Sequence, residues 1–152
     1  MIIDFHSHIF PEKIAKSTIS ALAERSNGKP STDGTVDGLL LAMDRANVDI
    51  CVTLPVLTKA SQFDSVTKFV LSVNERFKGL SKQIISFAGM HPEVEDIDGK
   101  MQYLKSVGIK GVKIHPDYQG TYINTDGYVN ILKCAKKYDL IVVTHSGVDD
   151  GY

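Results

Sequence analysis

The sequence predicts an α/β fold, a single domain over residues 1–152 built as the first five strand–helix units of an eight-stranded parallel barrel. Three observations carry this. Short β-branched runs alternate with stretches in which the apolar period lengthens from two to about 3.6 residues. The connections are long enough to be helices, and helical crossovers make the strands parallel and the connections right-handed. All five histidines fall at or just after the C-terminal end of an expected strand.

The strands are expected at Ile2–His6, Asp49–Leu54, Gln83–Met90, Gly111–His115 and Leu140–His145. Pro11–Arg25 is expected to be helical, followed by a polar loop from Ser26 to Gly34. Val36, Leu39, Leu40, Met43 and Ala46 then follow helical spacing, as do Val66, Phe69, Val70, Val73 and Phe77. Ile97, Met101, Leu104 and Val107 form a third stripe, and Tyr128, Ile131, Leu132, Ala135 and Tyr138 a fourth. Gly108 stands where a helix needs a left-handed cap, and Thr125 stands at an N-cap position.

The bulk numbers exclude several classes. With 43% hydrophobic and 23% charged residues and a net charge of -1, the chain has the make-up of an ordinary globular domain. No basic cluster suits nucleic acid, and no apolar run approaches a membrane span. The opening Met1-Ile-Ile-Asp-Phe has no signal-peptide pattern, so a cytoplasmic setting is expected. Cys51 and Cys134 lack metal-knuckle spacing and are expected to be buried, reduced thiols.

Length alone favours an open sheet, because a full barrel takes about 250 residues. The histidines favour a TIM-type barrel, whose strand ends converge on one mouth, whereas an open sheet spreads them along an edge. His6 and His8 lie two residues apart, so strand alternation points both the same way, as two ligands of one metal ion. Asp4 shares their face and is placed to hydrogen-bond a ligand ring from behind. Ile3 and Phe5 are expected to face helices. Ile141, Val143 and His145 share a face, which makes His145 a third nitrogen ligand and leaves a coordination position open, as in catalytic zinc sites. The bland alternative is a set of strand-end histidines bonded to backbone carbonyls.

In Gly111-Val-Lys-Ile-His-Pro, Val112 and Ile114 are expected to pack on helices while Lys113 and His115 point inward. A lysine beside a metal asks for an anion: a substrate carboxylate, a neighbouring acid, or its own carboxylation. Lys113, His115 and His91 are the candidate substrate-binding residues.

Ile3-Asp-Phe-His-Ser-His, Gly111-Val-Lys-Ile-His-Pro with Tyr118-Gln119, and Val143-Thr-His-Ser-Gly, in this order, resemble the amidohydrolase superfamily. The nearest branch is the amidohydrolase-related one, with aminocarboxymuconate-semialdehyde decarboxylase and the resorcylate decarboxylases. The resemblance spans the chain. It implies that His6 and His8 are the first-strand metal pair and His145 the fifth-strand ligand. It also implies a sixth-strand histidine and an eighth-strand aspartate, so the chain reads as truncated after the fifth strand, with the general base beyond residue 152. Within these residues only Asp117, Asp149 or Glu93 could stand in.

The expected activity is metal-dependent hydrolysis of a small carboxylated or cyclic molecule by a metal-activated water, with zinc as the first choice of ion. Decarboxylation by the same family, an inactive metal-binding half-barrel, and a phosphoesterase of the histidinol-phosphatase type are the alternatives. A barrel cut open here exposes apolar edges, so self-association is expected.

Overall fold

The computed structural model describes residues 1–26 and 28–147. In chain order the elements are β1 (Ile3–Ser7), α1 (Glu12–Ser26), α2 (Val36–Ala46), β2 (Ile50–Thr53), a 3-10 turn (Ala60–Gln62), α3 (Phe63–Phe77), β3 (Gln83–Ser86), β4 (Ala88–Gly89), α4 (Ile97–Ser106), β5 (Gly111–Ile114), α5 (Asp126–Lys137) and β6 (Ile141–Thr144). All of the expected helices form close to their expected bounds. The expected third strand does not form as one piece. It breaks at Phe87 into β3 and β4, which belong to different sheets.

The chain divides into two compact units, one containing Met1–Thr53 and Phe77–Ile85, the other Leu54–Arg76 and Ser86–Gly147. The first holds a sheet in the order β1-β2-β3. β1 runs parallel to β2 in the register Ile3↔Ile50 and Asp4↔Cys51, then slips before Ser7↔Thr53. The start of α2 is set locally: Thr35 is extended (φ -86°, ψ 163°) and its hydroxyl accepts the Gly38 amide at 2.9 Å. Its end is set by Asn47, left-handed at φ 53°, a conformation that asparagine tolerates better than most side chains.

The second unit holds a parallel sheet in the order β4-β5-β6. Every residue of β5 is buried. Val112 and Ile114 enter a core with Met101 and Leu104 of α4 and Tyr128 and Ile131 of α5. Close packing leaves no room for a side chain at Gly111, where a Cβ would lie 2.5 Å from the Phe87 ring and 2.6 Å from the Ile141 carbonyl oxygen. Phe87, 2% exposed, is the residue between β3 and β4. Gly108 closes α4 with φ 86°, and the Ile109 amide reaches back to the Leu104 carbonyl at 3.0 Å.

One expectation needs correction. Ile3 and Phe5 do not face helices; each is 48% exposed. Both side chains belong to a strand at the end of its sheet. Thr125 takes the N-cap position of α5, as expected, although its hydroxyl makes no capping bond and is buried without a hydrogen-bond partner among the described residues. Asp126 in the first turn supplies the negative charge that a helix N-terminus favours. Among the described residues no helix is long and apolar enough to cross a membrane.

Candidate functional site

In the first unit the site is built on the end of β1. The His6 and His8 rings stand 5.0 Å apart between centroids, with 63° between their planes. His6 is exposed and His8 half-buried. Two imidazoles this close, one in β1 and one just past its end, suit a shared cation. Asp4 braces the stretch through its backbone: one carboxylate oxygen accepts the His6 amide at 3.0 Å and the other the Ser7 hydroxyl at 2.7 Å. These bonds fall where the β1–β2 register slips, so they order a segment that the strand ladder leaves irregular.

Cys51 lies behind, its Sγ 3.1 Å from the Ser7 hydroxyl and 3.6 Å from Asp4. Burial pushes the Asp4 carboxyl up, but the His6, Ser7 and Cys51 hydrogen bonds outweigh it and hold its pKa below the ordinary value. Burial, with the Asp4 charge adding to it, raises the Cys51 thiol to about 11 against the Ser7 hydrogen bond, so it stays protonated and inert. Both cysteines are buried and free, as expected.

In the second unit the parallel register aligns Gly89, Lys113 and Val143 across β4, β5 and β6. Two residues further along each strand come His91, His115 and His145. Lys113 is 1% exposed and its ammonium nitrogen has no hydrogen-bond partner among the described residues. Burial pulls its pKa below the ordinary lysine value. His115, 5% exposed, stacks on Tyr118 at 4.1 Å and 20° and on His145 at 4.3 Å and 7°. Its Nδ1 accepts the Tyr118 amide at 3.3 Å. His91 is 4% exposed, and its Nδ1 accepts the Glu93 amide at 3.2 Å. Burial lowers the His91 pKa, with the Glu93 carboxylate opposing it.

Gln119 holds this end of the sheet together. Its Oε1 accepts the His115 amide at 2.9 Å and the Tyr128 hydroxyl at 2.6 Å. Its Nε2 donates to the Leu57 carbonyl at 2.8 Å and the Met90 carbonyl at 2.7 Å. That is the full hydrogen-bonding capacity of a side-chain amide. Sequence reasoning noted Gln119 only through family resemblance and assigned it no task. A glutamine in a polar loop has no local signal that its partners lie 62 and 29 residues away.

The expected ligands therefore fall in both units, His6 and His8 in the first and His145 in the second. Among the described residues no group of three or more His, Cys, Asp or Glu stands in metal-holding geometry. Of the candidate bases, Asp117 has one carboxylate oxygen buried without a hydrogen-bond partner among the described residues. The Glu93 side chain is 82% exposed, and Asp149 lies outside the described residues.

No protein-family model matches the sequence, and no curated protein matches it. Solved structures do. IDCase from Metarhizium anisopliae, in apo form, matches with a TM-score of 0.70 at 15% identity, over 95% of this chain and 50% of its own. A 5-carboxyvanillate decarboxylase from Novosphingobium aromaticivorans, bound to manganese and 3-methoxy-4-hydroxy-5-nitrobenzoic acid, matches with 0.70 at 12% identity, over 99% and 52%. An amidohydrolase from Staphylococcus aureus matches with 0.65 at 18% identity, over 96% and 47%. This chain thus spans about half the length of each, and the likeness establishes a shared parallel α/β architecture.

Proposed function

We propose that this chain belongs to the amidohydrolase-related branch and forms the metal-binding part of an enzyme acting on a small carboxylated molecule. The observation that carries this is the His6–His8 ring pair, 5.0 Å apart at the end of β1, in a fold shared with a manganese-bound decarboxylase. His6 and His8 are the proposed ligands in the first unit, and His145 of the second is the further ligand that the family resemblance names. Three imidazole nitrogens suit zinc, and manganese is the competitor that the solved neighbour holds. A divalent ion held there supplies Lewis acidity toward a carbonyl or carboxylate oxygen.

Lys113 gives the substrate its character. A buried ammonium without a partner is costly, and a carboxylate on the bound molecule offsets that cost. His91 and His115, each two residues beyond the Gly89–Lys113 register pair, are the proposed further substrate contacts. Decarboxylation is the first reading, because it accounts for a carboxylated substrate. Hydrolysis is the second, favoured by the exposure of His6, which leaves the metal end open to water.

The test is elemental analysis of the purified chain after separate loading with zinc and manganese. About one ion per chain is expected, as a three-ligand site holds, and His6→Ala or His8→Ala should lose it. A folded chain with no bound ion would sink the reading. A panel of aromatic carboxylates, esters and lactones then separates carbon dioxide release from hydrolysis, and bound metal without turnover identifies an inactive binder.

We also propose self-association through the sheet edges. Ile3 and Phe5 on β1 and Ile141 on β6 are about half exposed, and each strand is paired on one side only. Sedimentation velocity on the same sample should show a concentration-dependent dimer that Ile141→Lys weakens. A strict monomer at all concentrations would refute it.

A further inference from the structure

Three aromatic side chains at the end of the second sheet stand as one column, Tyr118 on His115 on His145. The lower two rings are nearly coplanar in orientation, at 7°. Three bonds hold the middle ring's residue. The His115 amide is fixed by Gln119, the His115 Nδ1 accepts the Tyr118 amide, and the Gln119 amide at 3.0 Å donates to the His115 carbonyl. His115 is therefore clamped at its backbone and at its ring. Because Nδ1 is the acceptor, the neutral ring carries its proton on Nε2.

His145 has a different setting. It follows an edge strand whose other residues are half-buried or exposed, and its own amide reaches the Ile114 carbonyl at a long 3.3 Å. The face of a clamped neighbour, 4.3 Å away and nearly parallel, holds this ring on one side.

We infer that His115 is a positioning residue: with Tyr118 and Gln119 behind it, it sets the ring plane of His145. A metal ligand needs its nitrogen aimed at one point, and an imidazole on an edge strand gains that aim from a rigid face beside it. The inference rests on the proposed role of His145 for its functional meaning, but the ring-plane claim stands on the stack itself. It gives His115 a task that a phenyl ring can perform, which separates it from any task needing a nitrogen.

The experiment compares wild type with His115→Ala, His115→Phe and His145→Ala. The first readout is the side-chain NMR of His145 in the metal-free chain, its signals identified by their loss in His145→Ala. His115→Ala should move and broaden those signals, and His115→Phe should restore a narrow, ring-shifted set. Unchanged His145 signals in His115→Ala would overturn the inference, as would a His115→Phe spectrum no better than that of His115→Ala. Backbone amide spectra of both variants confirm that the fold is kept.

The second readout is zinc affinity by titration. Loss of the support is expected to weaken binding about 10- to 100-fold in His115→Ala, the range for residues that orient a ligand, with His115→Phe close to wild type. If His145→Ala binds zinc as wild type does, the metal role of His145 fails while the NMR result still decides the positioning role.

Discussion

Replacing Gln119 with alanine is expected to lower the unfolding free energy by about 2–4 kcal/mol, a large loss for one polar side chain. The reason is what it leaves behind. The Leu57 and Met90 carbonyls, the His115 amide and the Tyr128 hydroxyl all lose their partner at once. Leu57, Met90 and Tyr128 are each 0% exposed, so water cannot readily replace the lost bonds. Burial raises the Tyr128 phenol to about 12, so it is a hydroxyl donor throughout the neutral range and depends on an acceptor.

Urea unfolding of wild type, Gln119→Ala and Tyr128→Phe apportions the effect. Tyr128→Phe removes one bond together with its donor and should cost only about 1 kcal/mol. Gln119→Glu is a sharper probe. It keeps the acceptor but turns the donor into a carboxylate oxygen facing two carbonyls, so it should cost as much as alanine at pH 7. A Gln119→Ala protein as stable as wild type would mean that the loops after β2, β4 and β5 do not depend on this amide.

Replacing Lys113 with methionine is expected to stabilise the chain by about 1–3 kcal/mol, because an apolar side chain of similar length removes a buried cation that has no partner. The pH dependence has a definite sign. Burial lowers the folded-state pKa of Lys113 below the ordinary 10.5, so the unfolded chain holds the proton more tightly. The resulting penalty is fully present below the folded pKa and is relieved as pH rises toward 10.5. Thermal unfolding of wild type should therefore gain stability over that alkaline window relative to Lys113→Met, and the two curves should converge. The same substitution should abolish any preference for benzoate over benzamide in a binding titration. Greater stability with lost anion binding is what a residue kept for function shows. A destabilised Lys113→Met protein would mean that the ammonium is satisfied in the folded chain.

Much of the fold was legible because its signals are local. The helical stripes from Val36 to Ala46 and from Ile97 to Val107 needed only periodicity, and Gly108 needed only the steric rule for a left-handed residue. The alternation in β5 placed Val112 and Ile114 in the core and Lys113 and His115 on the other face, since adjacent side chains must point to opposite sides. The Asp4, His6 and His8 cluster was visible for the same reason, because its members lie within five residues.

Other features are properties of packing. The break at Phe87 could not be read from the run Gln83–Met90, because it depends on which sheet each half pairs into. The exposure of Ile3 and Phe5 depends on what packs over that face of the sheet, and periodicity marks a face as apolar without saying what covers it. The roles of Gln119 and of the Tyr118–His115–His145 column depend on groups brought together from across the second unit. The sequence by itself determined which residue types stand at the strand ends. Only the tertiary structure decided their partners, because hydrogen bonds and ring contacts between distant segments exist only once the strands have paired.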